Sequence, residues 1–146
     1  MKSLWIDQNP KTLAAIFDAG DELVAGLRQL AAEYHLVASR FTGIGACSEL
    51  GVGFFNLEKK TYEKIIFREQ MEVLSLAGDI AMGEIHAHIV AGRADGTAHG
   101  GHLMHAIVCP TMEIIVTESP IPMQRKFNSK FGLALIDLDG YRQANL

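Results

Sequence analysis

Two cysteines, four prolines, one tryptophan and no apolar run near the length of a membrane span leave this chain without the marks of several protein classes. Cys47 and Cys109 are too few and too far apart for a disulfide framework or a CxxC metal or redox motif, and both are expected to be small buried hydrophobes. A bilayer crossing needs roughly 20 consecutive apolar residues. The start, MKSLWIDQNP, also lacks the apolar stretch that follows the charged end of a signal peptide. The expectation is a cytoplasmic protein with no membrane partner.

Positive charge is scarce as well. Thirteen Lys and Arg stand against 17 Asp and Glu, giving a net charge of -4. A duplex-binding surface works by neutralising phosphates with clustered basic side chains. The densest basic stretch here, Arg125, Lys126 and Lys130, reads instead as a solvated face. GxSxG, GxxxxGK and GxGxxG are absent, which removes the nucleophile elbow, the P-loop and the dinucleotide fingerprint. Gly43-Ile44-Gly45-Ala46 reads as a tight turn between strands.

What is present is an ordinary globular balance, 49% hydrophobic and 21% charged in 146 residues. A chain of this size buries roughly 70% of its unfolded surface, so one domain spanning residues 1–146 is expected. From Asp21 to Tyr34 the apolar residues Leu23, Val24, Leu27, Leu30, Ala31 and Tyr34 recur at helical spacing, with Asp21 as N-cap, and predict a helix lying on a sheet. Short alternating runs then predict strands at 36–42, 51–57, 62–67, 73–80, 84–91, 102–108 and 114–117. Thr12 to Phe17 reads as a further strand. Leu133 to Leu138 reads as a last one, ended by Gly140. The links at 56–61 and 92–97 are short and polar, as antiparallel hairpins require, so the class is α+β.

The chemistry concentrates in EIHAHIVAGRADGTAHGGHLMHA. Alternation along a strand puts Glu84, His86, His88 and Val90 on one face, and an HxH pair on one face is a two-point metal clamp. Gly100-Gly101 then allows a close backbone approach before His102, which can supply a third imidazole. Three neutral imidazoles with an open fourth position suit Zn2+ or another divalent transition metal. On a regular strand His105 faces away from His102. His99, Glu84, Glu49 and water remain candidates for the fourth ligand, and Glu84 or Glu49 is also the candidate catalytic carboxylate.

The segments FTGIGACSELGVGFF, MEVLSLAGDIA, IHAHIV with DGTAHGGHLM, and RKFNSKFGLALIDL, in that order over residues 12–138, resemble the PPC ("plants and prokaryotes conserved") domain family. The resemblance implies a twisted, mostly antiparallel sheet flanked by helices and assembled as a homotrimer. It also places the family's HxH and GGH histidines on His86, His88 and His102. The same arrangement is similar to the zinc site of acetolactate decarboxylase. The resemblance further implies either an interaction or regulatory module with protein partners, or a zinc-dependent enzyme acting on a small oxygenated substrate. Members of the family are labelled predicted DNA-binding proteins through plant relatives that carry an AT-hook. Here the nearest approach to its Arg-Gly-Arg core is Gly92-Arg93 followed by Ala94.

Overall fold

Alternating apolar residues dominate the chain after its first third, and such a pattern buries itself by pairing strands. A computed structural model gives the result and describes residues 1–138. Its elements are β1 (Lys2–Gln8), β2 (Lys11–Asp18), α1 (Leu23–Glu33), β3 (Ala38–Asn56), β4 (Thr61–Phe67), β5 (Met71–Ala81), β6 (Glu84–Gly92), β7 (Ala98–Glu118), β8 (Arg125–Asn128) and β9 (Leu133–Ile136). The first seven strands form one antiparallel sheet ordered β1-β2-β7-β6-β5-β3-β4, and β8 pairs only with β9. An additional β3–β7 pairing joins the two long strands, so β3, β5, β6 and β7 close into a ring. The expected Gly140 stop lies outside the described residues.

The inward residues of these strands, among them Leu13, Phe17, Phe41, Leu76, Ile80, Ile89 and Val116, meet the apolar stripe of α1 in one core. Leu23, Leu27 and Leu30 are fully buried, each contributing about 1.5–3 kcal/mol by leaving water. Gly26 is required where the helix crosses the sheet, because a Cβ there would collide with the Phe17 ring. The helix falls where its periodicity placed it, but its cap differs. Glu22 accepts from the Val24 and Ala25 N–H groups at 3.2 and 2.7 Å, while Asp21 accepts from the Asp18 N–H at 2.9 Å and so closes the preceding turn.

Four expectations need correction. The sheet is not flanked by helices, since α1 is the one helix among the described residues and the rest of the core is covered by strand curling on strand. The turn predicted at residues 43–46 does not exist. β3 runs straight through it and absorbs the glycines as bulges, with Gly43 and Gly45 packed so tightly on the β7 backbone that no side chain fits. Likewise 102–108 and 114–117 belong to the single strand β7, in which the register breaks between Val108 and Met112. Cys109 falls in that break and is exposed, whereas Cys47, paired with Val108, is buried.

Candidate metal centre

β6 alternates as expected. Ala87, Ile89 and Ala91 are buried in the core, so His86 and His88 stand on the outer face of the ring. The β6–β7 hairpin brings His102 directly opposite His88. Gly100 and Gly101 make that approach possible, since a Cβ on either would press on the backbone oxygens of Ile89 (2.6 Å) or Gly53 (2.9 Å). The three rings form a nearly equilateral triangle, with centroid separations of 5.4 Å (His86–His88), 5.3 Å (His86–His102) and 5.6 Å (His88–His102).

One ligand nitrogen from each ring lies within 4.8 Å of the others. A tetrahedral metal with bonds of about 2.0–2.1 Å needs donors about 3.4 Å apart, a closure within the reach of side-chain rotation. The electrostatics fit a dication. Nδ1 of His102 is buried and has no hydrogen-bond partner. Burial, and then the charges His86 and His88 would carry, hold the His102 imidazole down at about 4. Burial and then the neighbouring Arg125 also lower His86, against the pull of Asp79. Both are therefore neutral at pH 7, the form that ligates metal.

Two walls bound the triangle. On one side the Tyr62 ring stacks on His102 at 4.6 Å and meets Phe55 edge-on at 5.0 Å, and burial raises the Tyr62 phenol. On the other, Asp79 stands opposite His86 in the β5–β6 ladder, its Oδ2 3.7 Å from His86 Nδ1, and pairs with the Arg125 guanidinium. Arg125 was expected on a solvated face, yet its side chain is only 15% exposed, because β8 turns it toward the sheet. Asp79, Arg125 and Tyr62 were missed in the sequence. They lie in three separate segments, and no local pattern connects them to the histidines.

The other candidates fall elsewhere. Glu84 is exposed and outside the donor group among the described residues. His99 sits opposite Ala91, on the core side of the sheet, with its ring 4.7 Å from Phe67. His105 does not face away from His102 as a regular strand would have it. Its partner is Gly51, two positions from Gly53, the partner of His102, so a bulge at Met104 returns His105 to the outer face. There His105 Nε2 lies 2.8 Å from Glu49 Oε1, and Glu49 also pairs with Arg68 at 3.3 Å. The bond to His105 is the main reason the Glu49 carboxyl lies below its ordinary range. Glu49 and His105 thus form a second polar pair on the face that bears the triangle.

The sequence profile of the Plants and Prokaryotes Conserved (PCC) domain matches residues 7–120. The chain belongs to that family. Among solved structures, this PCC domain is similar to a Bacteroides thetaiotaomicron protein provisionally described as DNA-binding (31% identity, TM-score 0.87, covering 94% of this chain and 98% of the other). It is also similar to a metal-containing protein of Archaeoglobus fulgidus (31% identity, TM-score 0.80, covering 87% and 93%). Acetolactate decarboxylase of Bacillus subtilis shares the fold at 11% identity and a TM-score of 0.55, over 89% of this chain and 62% of the enzyme. No curated protein matches in sequence.

Proposed function

We propose that this PCC domain is a metal-binding module that holds Zn2+ or a similar divalent transition metal on His86, His88 and His102 and acts as an interaction or regulatory unit. The observation that carries this reading is the convergence of three imidazoles, one ring nitrogen of each within 4.8 Å of the others, at a histidine whose buried Nδ1 has no hydrogen-bond partner. A buried polar nitrogen without a partner is costly unless a ligand satisfies it. Elemental analysis of native protein beside His86→Ala and His102→Ala, each checked for folding and size, tests it. Unchanged metal content in both variants rejects the site.

The homotrimer belongs to the same proposal. Leu4, Ile16, Ile44 and Ile115 are exposed on the same face of neighbouring strands, and burying such side chains against a second copy supports assembly. Light scattering would show a mass near three times 16.0 kDa. For DNA, the relative's description is the support and the net charge of -4 stands against it. A band shift that is absent even at low salt rejects direct binding.

A second reading, a zinc-dependent enzyme on a small oxygenated substrate, draws on the Glu49–His105 pair, an oriented carboxylate and imidazole on the same face as a three-donor site. A metal with open coordination positions would polarise a carbonyl or activate water there. Under this reading, Glu49→Gln abolishes turnover while metal content is unchanged.

A further inference from the structure

The β8–β9 hairpin is not part of the main sheet, yet it sends its first side chain into the site. Arg125 Nη2 donates to Asp79 Oδ1, and Nη1 reaches the Ala134 carbonyl at 3.4 Å. One oxygen of Asp79 is therefore taken by the guanidinium, and the other faces His86 Nδ1 at 3.7 Å. The ladder fixes this arrangement, because Asp79 and His86 are register partners across β5 and β6. Glu84 shares the face but is exposed.

A carboxylate beside one nitrogen of an imidazole holds the proton on that nitrogen and leaves the other free to ligate. The clamp by Arg125 matters for the same reason. A free carboxylate this close to a dication could swing and ligate, whereas one already bound by a guanidinium is held to an orienting role. The Asp79–Arg125 pair also carries no net charge, so its contribution is mainly one of geometry.

We propose that Asp79 is the positioning residue of the metal centre, holding His86 with N–H on Nδ1 and Nε2 toward the metal. Arg125 clamps Asp79 and so couples the β8–β9 hairpin to metal occupancy. This rests on the metal-binding reading. Coupling of this kind is reciprocal, so metal must steady the hairpin by the factor through which the hairpin steadies the metal.

The test uses Co2+, titrated into metal-free full-length protein against a chromophoric chelator, with folding checked by circular dichroism. Asp79→Asn should bind about 10–100-fold more weakly with an altered cobalt absorption band, and the control Glu84→Gln should stay within about twofold of wild type. Arg125→Gln, which lies outside the main sheet and leaves the core untouched, should weaken binding several-fold. Hydrogen exchange at the amides of residues 125–128 should slow on Co2+ addition in wild type and not in Asp79→Asn. Wild-type affinity in both Asp79→Asn and Arg125→Gln, or hairpin exchange indifferent to Co2+ in the wild type, overturns the coupling while leaving the metal site standing. A wild-type protein that takes up no Co2+ overturns both.

Discussion

Metal-free protein should lose stability as the pH falls from 7 to 5, and His102→Gln should remove a large part of that loss. The folded state holds His102 at about 4 against 6.5 for an unperturbed imidazole. Between those values the unfolded chain takes up a proton that the native chain refuses, so stability rises with pH. The contribution is complete above about 6.5 and is lost progressively as the pH falls toward the folded-state value. The whole interval is worth at most about 3.4 kcal/mol at 1.36 kcal/mol per pH unit, and the part between pH 7 and 5 about 2 kcal/mol. The ring is only half-buried, and solvent screening brings the expected effect to on the order of 1 kcal/mol. His86, lowered for the same first reason, acts in the same direction. Urea unfolding of chelator-treated protein at the two pH values measures it. If wild type and His102→Gln lose the same stability on acidification, the half-buried His102 imidazole is not the cause.

The two cysteines should separate cleanly under a thiol reagent. Exposed Cys109 reacts in the native protein, while Cys47, pushed up to about 11 by burial and then by Glu72, reacts only after denaturation. Gly51→Ala would drive a Cβ into the His105 ring and should cost about 1–3 kcal/mol in a thermal melt. An unchanged melting temperature would mean that the ring moves aside freely. Leu27→Ala on α1 should cost about 2–5 kcal/mol by chemical denaturation, since its side chain is fully buried between helix and sheet.

The sequence made legible those features that repeat with a short period. The stripe from Leu23 to Ala31 announced α1, and the alternation of Ala87 and Ile89 with His86 and His88 announced both the strand and the face that carries the histidines. Bulges were not legible, because one extra residue changes no local composition. The break at Met104 reversed the side on which His105 stands, and the breaks around Gly45 turned an expected turn into continuous strand. β1 was missed because its apolar residues, Leu4, Trp5 and Ile6, are consecutive and flanked by polar pairs instead of alternating, and of these Trp5 packs against the core. Asp79 and Arg125 meet across 46 positions, a separation that only the folded sheet and its terminal hairpin bring to contact distance.

The triangle stands on the outer face, while the side chains that hold the ring together point inward. Folding and ligation therefore draw on alternate residues of the same strand, and a change in one set leaves the other nearly untouched. Substitutions at His86, His88 or His102 can therefore change what this face is able to bind without endangering the architecture. Members of one family can then keep a common shape while differing in what, if anything, they bind.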